Sequence, residues 1–475
     1  MTHRSFFSKL MLSSRSTPSG STPSGSTPSG STPSGSTPSG SAPSGSTPSG
    51  STPSRPRGAA AAVLGALALA GLSSGCERVS YYSFTGTAPE ETDTTGNPTT
   101  STTPTSTGTV TNPVTRAAVL EGIGVCAARL YGDVATAADT FSGATAAAAK
   151  STDPAALQAA RDAWSSLIDL WQQAEVVRVG PAGPTTTPGG EGLRDYVYSW
   201  PLVSRCLVEQ KLAAKSYEAS DFFSTALVNM RGLAAAEYLL FYDGTDNACS
   251  ASASINTGGT WAAMSPGELA GRKRAYAGAV AADVAAKTKA IALAWSKDGG
   301  DLVSDLASAG QAGSSFTTDQ LAMNLLSDGL FYVDTEVKDE KLAKPLGLLE
   351  CEAALCPEAV ESPFARRSRS HVKNNLLGFR RVLAGCEEGG GLGFDDLLAA
   401  LGQGALAERM VTHVDEAIAL AEALPSDDLA VVLVTDKAKL TELHAAVKKI
   451  TDELKTEFVT VLDLELPKGA EGDND

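Results

Sequence analysis

The sequence predicts an all-α protein of two helical bundles packed together. Three observations carry this expectation. From Arg116 to about Leu466 the chain is rich in Ala and Leu, with apolar residues recurring at helical spacing in almost every segment. No run of alternating β-branched residues competes for a strand. The region spans about 350 residues, more than one bundle core takes, so a second bundle is expected, with a boundary near residue 310.

The elements follow in chain order. Residues 1–54 hold a tandem STPSG repeat from Ser16 to Gly50, varied once at Ala42; with nothing apolar to bury, it reads as a disordered extension. Residues 55–76, RPRGAAAAVLGALALAGLSSGC, place two cations before an apolar run too short for a stable spanning helix, then small residues and Cys76. This is the layout of a bacterial lipoprotein export signal. Leu72, Ser73, Ser74, Gly75 and Cys76 resemble a lipobox, so Cys76 is the expected lipidated first residue of the exported chain. Residues 77–114, rich in Thr, Pro, Ser and Gly, read as a flexible tether. The helical region 115–466 is therefore expected in the cell envelope, joined to the membrane through lipid on Cys76. Glu77 favours the outer membrane, facing the periplasm or the cell surface. Residues 467–475 form an acidic tail.

All acidic residues lie after Cys76, whereas five of the 38 basic ones (Arg4, Lys9, Arg15, Arg55 and Arg57) lie before it. The net charge of −16 for the chain becomes about −21 beyond the cysteine. So acidic a surface repels phosphate, which excludes nucleic acid as a partner, and it permits attraction of cations.

Within the helical region, Val119, Ile123, Cys126, Leu130 and Val134 make one apolar stripe. Leu440, Leu443, Val447, Ile450, Leu454 and Phe458 make another of nearly heptad spacing. Asp153 before Pro154, Ser265 with Glu268, and Thr317 with Gln320 are helix-start signals. Two loops, 181–192 and 243–265, each follow a helix carrying a buried-looking Glu, and such loops either roof a site or are surface insertions. Besides Cys76 there are Cys126, Cys206, Cys249, Cys351, Cys356 and Cys386. An even number in an exported chain predicts disulfides of open connectivity, although Cys351 and Cys356 can close a small local loop. None shows the CxxC spacing of a zinc knuckle.

The candidate site begins at Arg231–Phe241, RGLAAAEYLLF. Leu233, Ala236, Glu237 and Leu240 share a helical face, so a carboxylate interrupts an apolar stripe and must find an Arg, a metal, a hydrogen-bond donor or a proton. Upstream, Trp164, Ile168, Trp171 and Glu175 share a face, with Arg161 one turn earlier. Arg161 is placed to pair with either glutamate, as a site residue or as a purely structural ion pair. His371 follows Arg366, Arg367 and Arg369, a basic run suited to positioning carboxylates or an anionic group. His413 and Glu416, beside Asp415, read as a solvated helix face or a weak cation site. Within residues 115–466 no HExxH or GxSxG occurs, and Gly389, Gly390, Gly391 and Gly393 before Asp395 and Asp396 read as a loop at a helix start rather than a dinucleotide site.

The stretch around Glu237 resembles the imelysin family, whose signature is a Gly-x-His-x-x-Glu helix followed by apolar residues. Gly232 and Glu237 match it, and Ala234 stands where the histidine would be. The resemblance extends to Arg161-x-x-Trp164 leading to Glu175 and Gly180-Pro181, and to Arg194 with Trp200-Pro201. It continues through Lys344-Pro-Leu-Gly347, Glu361-Ser-Pro-Phe364, Ser368 and Asn375-Leu-Leu-Gly378, covering most of residues 116–466. It implies two related helical halves with the signature helix near their interface, and either a peptidase-like activity or an iron-regulated envelope role in iron uptake. It points to Glu237, Glu175, Arg161, Arg194, Gly232, Glu361 and Ser362 as binding-site residues. Glu237 and Glu175 would be ligands for a divalent cation or iron, with envelope iron-transport proteins as partners. Ala234 can neither ligate nor act as a base, so no zinc-peptidase mechanism is expected from the motif.

Three functions fit this pattern. The expected one is a non-enzymatic envelope lipoprotein that binds a metal ion, a metal chelate or a partner protein between the bundles. The alternatives are a metal- or carboxylate-dependent peptidase-like hydrolase and a structural scaffold whose buried Glu and Arg form internal ion pairs.

Overall fold

The computed structural model describes residues 114–468 and Ala470. The STPSG extension, the export signal with Cys76, the tether as far as residue 113 and most of the acidic tail lie outside the described residues. Among the described residues every regular element is helical and no strand occurs. The principal helices are α1 (Arg116–Ala149), α2 (Pro154–Ala174), α3 (Arg205–Ala214), α4 (Gly232–Phe241), α5 (Pro266–Trp295), α6 (Asp319–Leu330), α7 (Ser368–Leu383), α8 (Gly404–Glu422) and α9 (Lys437–Glu453). A π-helix, Val333–Ala343, lies between α6 and α7. None of the described helices is long and apolar enough to cross a membrane.

The first group of helices gathers on α1. Its predicted stripe is buried throughout, and α1 packs along α5, α2 and the short helix Leu302–Ala307. Asp153 caps α2 by accepting the Ala155 amide, with Pro154 in the first turn, and Ser265 caps α5 by accepting the Glu268 amide. The third cap falls one residue later than the sequence predicts. Two adjacent threonines offer the same hydroxyl, and it is Thr318, in extended backbone, that accepts the Leu321 amide.

Helix α4 also departs from expectation. It is buried from Gly232 to Leu240 on every face rather than along one stripe. Packed on α5 and α2, it shows why: Ala234, Ala235 and Ala236 are small enough for neighbours to close in on all sides, the condition of a central helix.

The second group comprises α7, α8 and α9, with the π-helix packed on α9 and α7. The stripe from Leu440 to Phe458 is fully buried there. Helix α7 crosses α2 and joins the two groups, and one continuous apolar cluster runs through both. Gly378 permits this crossing, because a Cβ at that position would come within 2.3 Å of the Gln173 carbonyl oxygen. The disulfides are Cys126–Cys386, Cys206–Cys249 and Cys351–Cys356, the last closing the local loop the spacing suggested.

Candidate functional site

Glu237 sits in the middle of α4 and is 3 % exposed. Its Oε1 accepts three hydrogen bonds from one turn: from Ser362 Oγ at 3.1 Å, the Phe364 amide at 3.0 Å and the Ala365 amide at 2.8 Å. Ser362 has φ 58°, and its carbonyl accepts the Arg366 amide at 2.8 Å, so the turn folds back with its donors aimed at the carboxylate. Burial pushes the Glu237 carboxyl up, and the Ala365 amide, His371, the Phe364 amide and the Ser362 hydroxyl oppose that shift.

One residue earlier in the chain, Glu361 belongs to a second cluster. Its Oε1 accepts from the Tyr198 hydroxyl at 2.6 Å and from Gln172 Nε2 at 3.4 Å. Its Oε2 lies 3.0 Å from Lys341 Nζ and 3.2 Å from His371 Nδ1. Lys341, on the π-helix, also donates to Gln172 Oε1 at 2.7 Å and to Asn375 Oδ1 at 2.8 Å. Burial works against the ionised Glu361, but Lys341 and His371 outweigh it and, with the Tyr198 hydroxyl, hold its carboxyl at about 2. Tyr198 is pushed well above its ordinary value by burial and by Glu361 and Glu237. His371 is fully buried between the rings of Trp164 and Tyr198, and its Nε2 has no hydrogen-bond partner among the described residues.

Glu175 closes α2. Its Oε1 accepts from the Trp171 indole at 2.9 Å and lies 3.5 Å from Arg194 Nε, while its Oε2 accepts from the Tyr332 hydroxyl at 2.7 Å. Burial raises its carboxyl against the pull of Arg194, Lys341 and Tyr332. Three buried carboxylates thus meet donors or cations supplied by the chain itself, with Glu361 Oε2, His371 Nδ1 and Arg194 Nε in ion-pair rather than hydrogen-bond contact.

The structure places Glu237, Ser362, Glu361, Glu175 and Arg194 in this seam. Arg161 is not part of it. Its Nε donates to the Leu240 carbonyl at 2.8 Å and its Nη2 to Asp243 at 2.9 Å, so it closes the C-terminal end of α4 instead of pairing with either glutamate. The orphan carbonyls at that helix end compete successfully for the guanidinium. Gly232 serves the backbone: with φ 75° it starts α4 where a Cβ would come within 2.7 Å of the Val197 carbonyl oxygen.

The loop 243–265 leaves the C-terminal end of α4, and its first residues, Asp243, Gly244 and Thr245, line a cavity with Leu239, Leu240 and Lys273. The loop is fastened to α3 by Cys206–Cys249 and by the Ala248 amide on Glu209, a buried carboxylate that also accepts from the Tyr238 hydroxyl. The basic run does meet carboxylates, with Arg367 on Asp169 and Arg369 on Asp427. His413 lies 3.1 Å from Glu453, and Asp415 is taken by Arg380.

A bare metal ion fits this seam poorly. Among the described residues no three His, Cys, Asp or Glu side chains come together as a metal-binding group, and the Lys341 ammonium already holds the cation position beside Glu361.

The imelysin family model matches residues 127–456. The chain belongs to the imelysin family. Two solved structures share its fold. One is an imelysin-like protein from Psychrobacter arcticum 273-4, at 19 % identity and a TM-score of 0.55, over 74 % of this chain and 98 % of that one. The other, from Parabacteroides distasonis ATCC 8503, is described as a "putative iron-regulated protein A precursor", at 18 % identity and a TM-score of 0.56, over 74 % and 97 %. No curated protein matches.

In this imelysin, α4 carries the stretch that resembles the family signature. The site residues that sequence reasoning did not assign are Gln172, Tyr198, Tyr332, Lys341, His371 and Asn375. For His371 and Asn375 a signal existed: they stand four apart, on one face of α7, just before the close-crossing Gly378.

Proposed function

We propose that this imelysin is a non-hydrolytic binding protein of the cell envelope, held by lipid on Cys76, that takes a metal chelate in an iron-uptake setting. The observation that carries this reading is the state of Glu237. Ala234 stands where the resembled signature has an imidazole, and Glu237 Oε1 is held by three donors of the Ser362 turn, so this helix offers a single carboxylate oxygen and no imidazole ligand or base beside it. The acidic charge beyond Cys76 and the iron-regulated designation of the P. distasonis relative support the setting. The Lys341 ammonium beside Glu361 favours a chelate over a bare ion.

The test is calorimetric titration of the metal-stripped full chain with Fe, Zn, Mn and Cu ions and with ferric citrate, beside Glu237→Gln, with casein cleavage assayed in parallel. Ferric citrate binding without cleavage is the expected result. Ion binding that Glu237→Gln abolishes would return the site to a bare metal, and casein cleavage would overturn the non-hydrolytic reading. Silence toward every probe would favour the scaffold. Metabolic labelling with palmitate, lost in Cys76→Ala, tests the anchor.

A further inference from the structure

A cavity of about 210 Å³ lies apart from the carboxylate seam, and its lining includes Arg178, Asp328, Leu325, Phe331, Pro184 and Thr187. Arg178 follows α2, Leu325 and Asp328 stand on α6, and Pro184 and Thr187 come from the 181–192 loop singled out in the sequence. Two opposite charges face this small space. Neither forms an ion pair or a side-chain hydrogen bond among the described residues, and Arg178 Nε is buried without a partner.

Leaving two part-buried charges unpaired costs free energy unless something else meets them. Asp328 shows that cost: burial and the neighbouring Glu465 push its carboxyl up to about 6, against the pull of Arg178. The space between the charges is walled by Leu325, Phe331 and Pro184. An anion alone would be repelled by Asp328 and Glu465, and a cation alone by Arg178. A ligand carrying both charges on an apolar body satisfies all of these groups. The volume falls below the roughly 300–1,000 Å³ of drug-sized sites, so that ligand is small.

We propose that this cavity binds a free α-amino acid with an apolar side chain, its carboxylate against the Arg178 guanidinium and its ammonium against the Asp328 carboxylate. The assignment uses none of the residues on which the iron-related reading rests, so each stands or falls without the other.

Calorimetric titration of the full chain with leucine, N-acetylleucine and leucine amide tests it. Leucine is expected to bind, and each blocked analogue to bind at least about tenfold more weakly. Arg178→Gln and Asp328→Asn should each weaken leucine by a similar factor, whereas Asp328→Asn should leave N-acetylleucine unchanged, its ammonium contact being already absent. Neither side chain has a protein partner to orphan, so both variants are expected to fold. Leu325→Trp, which fills the cavity, gives an independent loss of binding. No heat at millimolar leucine, equal binding of leucine and N-acetylleucine, or leucine binding unchanged in all three variants would overturn the proposal.

Discussion

Lys341 Nζ lies 3.0 Å from Glu361 Oε2, with both side chains 1 % exposed, and this pair ties the π-helix to the turn that clamps Glu237. Glu361 and Ser362 are adjacent, so one short segment serves two buried carboxylate systems: Glu361 is itself the charge, and Ser362 begins the turn that satisfies the other. The ion pair and the clamp are therefore mechanically linked.

Removing one partner of such a pair leaves the other charged and buried. Lys341→Met is expected to lower stability by about 3–5 kcal/mol, read as a lower urea midpoint at neutral pH. Adding Glu361→Gln removes the stranded charge, so the double variant should lose less than the two single losses added together. Strict additivity would mean that the two side chains do not act as a pair.

Acid should act on the same pair with a definite sign. The Glu361 carboxyl is held at about 2 against an ordinary value of 4.5, so the unfolded chain takes up its proton first. The resulting stability is fully present above pH 4.5 and is lost as pH falls toward 2. Wild type should therefore lose stability relative to Glu361→Gln across that window, measured by urea unfolding at stepped pH. Parallel curves for the two proteins would contradict the assignment.

Glu237 should behave in the opposite sense. Its carboxyl is raised, so its contribution is present below 4.5 and is lost as pH rises through the folded-state value. Glu237→Gln keeps an oxygen for the Ser362, Phe364 and Ala365 donors without the charge, and its stability relative to wild type should grow with pH. Glu237→Ala orphans those donors and should cost roughly 1–3 kcal/mol for each that stays buried. Equal stabilities for the Gln and Ala proteins would show that the clamp contributes nothing.

What was legible in the sequence follows from how each residue announces itself. Glu237 and Glu175 interrupt apolar stripes, and a carboxylate among tryptophans or leucines needs a partner whatever the fold. Lys341 gives no such sign. The run from Val333 to Ala343 carries charge on nearly every turn and reads as a solvated face, yet Asp334, Lys338 and Lys341 are buried there. The π-helix also changes the angular spacing of side chains, so an α-helical period misassigns the faces. His371 was masked by the basic run before it, whose arginines find carboxylates locally while the imidazole turns inward.

Arg161 and Arg194 give the sharpest contrast between what sequence order suggests and what packing decides. Both are candidate site residues in the sequence, but Arg161 meets Asp243, whose side chain is 81 % exposed, whereas Arg194 faces Glu175, whose side chain is fully buried. An ion pair open to solvent on one side contributes about 0.2–1 kcal/mol, so Arg161→Gln should be mild, with part of its cost coming from the Leu240 carbonyl it leaves uncapped. Arg194→Gln removes the nearest cation from a carboxylate that cannot reach water, and Glu175 should then take up a proton at higher pH than in the wild type. The expected outcome is a larger stability loss for Arg194→Gln than for Arg161→Gln at pH 8, with the gap narrowing at pH 5 as Glu175 becomes neutral. A gap that stays constant between those two pH values would mean that Arg194 stabilises the seam by packing on Tyr332, 5.6 Å from its ring centre, rather than by charge.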